Sequence, residues 1–500
     1  MDFRLIQREA DSVVTEHRVE RYLITNVTIV FVALLINQIT QTVGAAALTH
    51  LVPNPTIYGE INVLLQILGL VGIFLSLGFN AALTYVMASG QAHSEDAFWI
   101  ASLVGVGFGM LLAAVLSLFA GTVAGFYQVP ALAAALWTAS LILIVNSAVN
   151  VVMSVLSGHK FFRLQSLSMV LPVLSATLGM VIAIWAALPN GSLLRAAAFG
   201  QLAGAVVGLG LVVALAKPYL PAFRRTIDWT QWRPLFRYGF PMWAGNIAKS
   251  FQQPFLVIMM GLVSMSAAGY LSNGLKIGGF LNNITWAFNV VVLPWLSEVQ
   301  GDARLVGMRA TLAFRYNNYV IFPLTGLVIL NRHFLTVAVF GPRYNHSAAY
   351  VLPVAVAIVF SSVSRLGGTL LAGIGRPRGN FWPMLVAGGA TLIGVPLMLS
   401  HAVPLAAVYP YALGWLLATV LTIVFAVRDG LSLDYFDAFA RPAMPLAMML
   451  CVYWAGTLIG LPAGVVGVAT AITLIPATWA IERWLPNFSH KEQLSPQGRV

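Results

Sequence analysis

Apolar runs long enough to cross a bilayer follow one another along almost the whole chain, broken only by short segments of Gly, Pro, Asn and charge. A helix of about 20 apolar residues spans the hydrocarbon core. There, only helices and closed barrels satisfy their own backbone hydrogen bonds. With 59% hydrophobic and 9% charged residues in a chain of 500, too little polar surface is left to solvate a water-soluble fold of this size. The chain is therefore expected to be an all-α polytopic membrane protein. Its first run, from about Tyr22 to Leu48, is long and is not promptly followed by a small-residue cleavage site. It is expected to be a retained helix and not a removed signal peptide.

Reading the runs against their breaks gives about 14 transmembrane helices. The expected division is a cytoplasmic N-terminal segment (1–21), a first lobe of six helices (22–216) and a cytoplasmic linker (217–233). A second lobe of six helices (234–427), two further helices (428–484) and a cytoplasmic tail (485–500) complete it. An even number of crossings puts both termini on one side. With that side cytoplasmic, 21 of the 27 Lys and Arg residues lie inside, and only Arg195, Arg332 and Arg343 lie outside. This is the asymmetry that orients membrane helices. The two lobes also look related, since Tyr58 to Ser89 resembles Tyr270 to Gln300 and Leu156 to Lys160 echoes Leu371 to Gly375. Parallel repeats of this kind imply lobes related by an axis along the membrane normal.

The net charge of +11 does not call for nucleic acid, because the basic residues cluster at helix ends. The single cysteine, Cys451, excludes an intrachain disulfide or a multi-cysteine metal site, and its apolar run suggests simple packing. Eight histidines are scattered without metal-ligand spacing, and no phosphate-cradling loop motif is present. GVGFG at 105–109 lies inside an apolar helix, where small residues promote helix packing. No catalytic residues, metal site or cofactor are expected, and the chain is not read as an enzyme.

What remains are three cations within apolar runs, Lys249, Lys276 and Arg365. An ionised side chain at bilayer depth is costly unless it faces a polar cavity, which makes each a functional-site candidate. Asn246, Lys249 and Gln253 share one helical face, and Asn273, Lys276 and Asn283 repeat the pattern on the next helix. Arg365 lies between Ser361, Ser362 and Ser364 on one side and Gly367 and Gly368 on the other. The first lobe offers neutral counterparts in Gln38, Gln41 and Gln66. The competing roles are snorkelling or carbonyl clamping for the cations and interhelical hydrogen bonding for the amides. All 16 acids fall in tails, loops or near helix ends. An exporter of organic cations or a carboxylate proton relay would be expected to hold an acid at depth.

The stretches Tyr58 to Ala88, Leu235 to Pro254 (LFRYGFPMWAGNIAKSFQQP), Ala267 to Glu298, Val339 to Val351 (VFGPRYNHSAAYV) and Leu370 to Arg378 (LLAGIGRPR) resemble the polysaccharide (O-antigen) flippase family. These are the oligosaccharide-lipid transporters of the multidrug/oligosaccharidyl-lipid/polysaccharide (MOP) exporter superfamily. The resemblance rests on the order and spacing of these stretches. It implies two six-helix lobes around a central cavity, with the last two helices as an appendage. By alternating access, such a protein moves a polyprenyl-pyrophosphate-linked oligosaccharide across the bacterial inner membrane. Its implied partners are that lipid-linked substrate, membrane lipids and the polysaccharide polymerase machinery. A lipid-linked peptidoglycan precursor flippase and a multidrug exporter of the same fold are alternatives. A membrane glycan ligase or polymerase should carry a sizeable periplasmic loop with Arg, His or acids, whereas the outside loops near Pro189 to Leu194 and Gly341 to Ser347 are short.

Overall fold

Every regular element in the computed structural model is a helix among the described residues. These are 28–484 without 53, 76–77, 89–93, 160, 189–191, 222–226, 298–301, 375, 377, 401–402 and 462. In chain order the helices are α1 (Thr28–Leu51), α2 (Pro55–Gly72), α3 (Phe79–Ala88), α4 (Ser94–Tyr127), α5 (Pro130–Gly158) and α6 (Phe162–Ala187). Then come α7 (Leu193–Ala216), α8 (Trp232–Ser250), α9 (Gln252–Val263), α10 (Met265–Ser297), α11 (Ala303–Leu330) and α12 (Arg332–Phe340). The last five are α13 (Ser347–Gly373), α14 (Arg378–Leu399), α15 (Tyr409–Arg428), α16 (Arg441–Leu458) and α17 (Ala463–Trp484). Among the described residues, ten segments are long and apolar enough to cross a membrane, and eleven are if α11 and α12, bent by 74° at their junction, form one span.

Three of the expected spans are divided in two, and each break has a local cause. Between α8 and α9, Pro254 has no N–H for the carbonyl of Ser250, so the hydrogen-bond ladder stops there. Between α2 and α3, Gly78 takes φ of +84°, and a side chain there would run into the backbone of Gly239 on α8. Between α11 and α12, the side-chain amide of Asn331 donates to the Leu327 carbonyl at 3.0 Å and closes the helix end.

The described chain packs as two units, one comprising Met1–Leu51 and Ile67–Ile247, the other Val52–Gln66 and Ala248–Val500. In the first unit α4 packs on α5, α5 on α7 and α6 on α7. The α6–α7 contact shows how helices associate in lipid, where apolar burial gives no driving force and close backbone approach replaces it. Gly200, Gly204 and Gly208 form a stripe on α7, and a Cβ at Gly200 or Gly204 would collide with α6 backbone at Gly179 or Ser175. Gly105 and Gly109 of the GVGFG stretch likewise face Ser147 on α5, as a packing role requires.

In the second unit α10 packs on α13, α13 and α14 on α15, and α11 and α17 on α16. Phe314, Leu366, Leu370 and Leu296 centre an apolar cluster there. Beside it the structure corrects the charge reading. Arg315 and Arg441, counted among the cytoplasmic-side charges, are each 1% exposed, and Asp437 is 3% exposed. Asp437 accepts from Arg441 Nη1 at 3.1 Å through Oδ1 and from Arg315 Nη1 at 3.4 Å through Oδ2. A π-helical turn, Phe436–Ala440, delivers the carboxylate, and Asn318 bonds the Ala438 carbonyl at 2.8 Å. Cys451 is also exposed on α16 and not packed inside.

Removing one partner of a buried ion pair costs about 3–5 kcal/mol, whereas replacing the whole set by apolar residues of similar volume is often neutral. Asp437→Asn is therefore expected to lower the yield and thermal stability of the purified protein sharply. The triple Arg315→Met, Asp437→Leu, Arg441→Met should recover most of the loss. Thermal unfolding followed by size-exclusion chromatography measures both.

Candidate functional site

A polar cavity of about 260 Å³ lies within the second unit. The break before Pro254 builds one wall, placing Ser250, Gln252 and Gln253 at the junction of α8 and α9. Asn282 of α10, Arg365 of α13, and Tyr411 and Trp415 of α15 complete the lining. The Arg365 guanidinium sits over the indole of Trp415, 5.0 Å from the ring centroid, so its charge rests on the ring face. Gln253 Nε2 donates to the Tyr411 hydroxyl at 3.3 Å, which leaves the phenol proton free to donate.

Several groups in this wall are buried and unsatisfied. Arg365 Nε, Trp415 Nε1 and both amide atoms of Gln252 have no hydrogen-bond partner among the described residues. Each such group costs about 1–3 kcal/mol, more when charged. Arg365 lies within the apolar span Ser347–Ala372, where a guanidinium is more expensive still. The arrangement supplies hydrogen-bond donors without partners, and a positive charge without a carboxylate, among the described cavity residues.

Lys276 belongs to a second polar group, where the first half of α2 crosses α10. Gly59 permits the crossing, because any side chain there would overlap the Met265 carbonyl. The buried Tyr58 hydroxyl donates to Asn273 Oδ1 at 2.6 Å. Lys276 Nζ donates to the Tyr58 hydroxyl at 3.1 Å and to Asn62 Oδ1 at 2.9 Å. Asn62 in turn donates to the Tyr58 carbonyl at 2.7 Å. The Tyr344 ring meets Tyr58 edge-on at 5.3 Å and Tyr270 at 6.2 Å, so the two tyrosines matched by the internal repeat converge on one partner.

The structure thus brings Gln253 and Arg365 together at the cavity, and Asn273 and Lys276 together at the crossing. It adds Gln252, Tyr411, Trp415 and Tyr58, which the sequence reading left out of the site, and it places Asn62, a member with Gln66 of the first lobe's neutral polar stripe, against Lys276. Asn282, not Asn283, lines the cavity; Asn283 is half-buried. Gln66 and Gln38 are half-buried and Gln41 is exposed. The side chains of Asn246 and Lys249 lie outside the described residues, although both belong to α8. A polar residue two before a helix-interrupting proline was the signal for Gln252. The aromatic lining carried none, because Tyr and Trp in an apolar run read as lipid-facing.

Tyr58→Phe deletes one donor and one acceptor, each such bond contributing about 0.5–1.5 kcal/mol net. It is expected to lower the melting temperature without preventing folding. Combined with Asn62→Leu, the effect should be non-additive, since both groups serve Lys276. A thermal-unfolding double-mutant cycle tests this.

A family model described as "Polysaccharide biosynthesis protein" matches residues 48–349. No curated protein sequence gives a significant match. Among solved structures, "Lipid II flippase MurJ, inward closed conformation" superposes with a TM-score of 0.73 at 12% identity, covering 91% of this chain and 99% of that one. An inward-facing multidrug resistance MATE family transporter of the MOP superfamily has a TM-score of 0.60 at 13% identity, over 79% of this chain and 94% of that one. A MOP superfamily transporter from Pyrococcus furiosus, described as having a binding pocket of reverse polarity, gives a TM-score of 0.54 at 13% identity, over 82% of this chain and 95% of that one. Matched over more than half its length and folded like these transporters, the chain belongs to the polysaccharide biosynthesis protein family and has the MOP-transporter fold.

Proposed function

We propose that the chain is a flippase that carries a polyprenyl-pyrophosphate-linked oligosaccharide across the bacterial inner membrane by alternating access, for exopolysaccharide or O-antigen export. The observation that carries the reading is the Arg365 cavity: a guanidinium in an apolar span with no carboxylate among the described cavity residues, beside an unpartnered Gln252 amide, suits an anionic, hydroxylated cargo. Lys249, Lys276 and Arg365 would share the cargo's negative charge. Family membership supports a role in polysaccharide biosynthesis, and the likeness to a lipid II flippase supports a lipid-linked substrate. An exporter of organic cations fits less well, since a cation would meet Arg365 without a carboxylate among the cavity residues.

In this reading the chain crosses the membrane fourteen times, with each of the three divided helix pairs making one span and both termini cytoplasmic. On a Cys451→Ala background, a cysteine at Arg376 should be protected from an impermeant thiol reagent in whole cells, and one at Asn345 should react. The reverse pattern would invert the topology.

Neutralising Arg365 and Lys276 together (Arg365→Gln, Lys276→Gln) removes charge-assisted contacts worth roughly 1.5–3 kcal/mol each. Glycan export should fall about tenfold or more in cells lacking the native transporter, at unchanged protein abundance. Normal export by the double variant would remove the cations from the transport path.

A further inference from the structure

We propose that the cavity around Arg365 is a preformed site for one acidic sugar, a hydroxylated ring bearing a single carboxylate, and that the flipped glycan therefore carries such a residue. The proposal rests on the flippase reading and names a feature of its cargo.

Three observations set the chemistry. Among the cavity residues Arg365 is the one cation, and its partners there are neutral. One guanidinium balances one carboxylate, whereas a pyrophosphate would bring at least one further negative charge that no other cavity residue among those described meets. Nε has no partner among the described residues, and the cation sits over the Trp415 ring, which helps hold at the cavity wall a planar fork suited to a carboxylate.

The rest of the wall suits hydroxyls better than a second phosphoryl group. Gln252 is 1% exposed with both its amide oxygen and its amide nitrogen unbonded, so it offers one acceptor and donors at the same point. Gln253 and Asn282 add further amides, and Tyr411 adds a hydroxyl whose proton is free. Amide oxygens repel phosphate oxygens but accept from sugar hydroxyls, which both donate and accept. A site built to hydrogen-bond hydroxyls also discriminates strongly against groups that cannot return those bonds. The third observation is the start of α9, whose first turn carries Gln252 and Gln253 to the cavity wall. A broken transmembrane helix presents the positive end of its dipole at such a point, where it favours an anionic substrate group.

The test has two arms. In the first, the purified full chain in nanodiscs is titrated with D-glucuronate, D-glucose, acetate and inorganic pyrophosphate. Glucuronate is expected to bind at least tenfold more tightly than glucose or acetate. Arg365→Gln should lose at least tenfold of that affinity, Arg365→Lys less, and Gln252→Leu should weaken glucuronate while leaving acetate unchanged. Equal binding of glucose and glucuronate, absence of saturable glucuronate binding, or wild-type binding by a folded Arg365→Gln variant would overturn the proposal. Tighter binding of pyrophosphate than of glucuronate would overturn it too, while leaving the flippase reading standing.

The second arm asks whether the acid is borne by the glycan or is free. Proteoliposomes are loaded with lipid-linked oligosaccharide that contains or lacks a uronic acid residue. Wild-type protein should flip the acidic form at least tenfold faster, and Arg365→Gln should erase the difference. Equal rates for the two lipids would sink the glycan-borne source even if free glucuronate binds.

Discussion

Everything in this structure follows from the demand that hydrocarbon places on a polypeptide, that each polar group find its partner within the protein. The backbone meets the demand by being helical in every regular element among the described residues. Because lipid tails are as apolar as leucine, helices cannot be driven together by burial alone. Glycine stripes such as Gly200, Gly204 and Gly208 let backbones touch, and buried polar groups such as the Asp437 triad and the Tyr58–Lys276 group join helices by hydrogen bonds.

Against that background, the places where the demand is not met carry the most information. The Asp437 triad holds its charges on one another and can be understood as a device that fixes helices, and at the Tyr58 crossing Lys276 rests on two neutral partners. The Arg365 cavity is different in kind. Arg365 Nε, an indole N–H and a glutamine amide lie there at the same place beside a helix break, buried and without partners among the described residues. Such groups gathered around one cavity are poised for a ligand that brings the missing partners.

The helix breaks link local chemistry to this arrangement. Pro254 interrupts α8 and α9 where Gln252 and Gln253 reach the cavity, and Gly59 lets α2 approach α10 closely enough for Tyr58 to bond Asn273 and Lys276. One residue with unusual backbone properties sets each site, and the side chains that do the chemistry lie within a turn of it. Substituting these backbone residues would displace several polar groups at once, which is why their effect should exceed that of any single side chain nearby.

The sequence by itself determined the solvent, the helical class, the approximate helix positions and the rarity of charge at depth, because these depend on composition and on runs along one segment. It also singled out Lys276 and Arg365, since a charge in an apolar run stands out without knowledge of its neighbours. Partnership was not legible. Arg315 looked interfacial beside Tyr316 and Asn317, yet it is buried on an aspartate 122 residues away. Asn282 and Asn283 are adjacent and chemically identical, and only the packing of α10 against α13 turns the first toward the cavity. Trp415 and Tyr411 read as ordinary membrane aromatics until α15 sets them beside Arg365. Whether a buried polar group is satisfied depends on residues distant in the chain, and tertiary structure alone decides it.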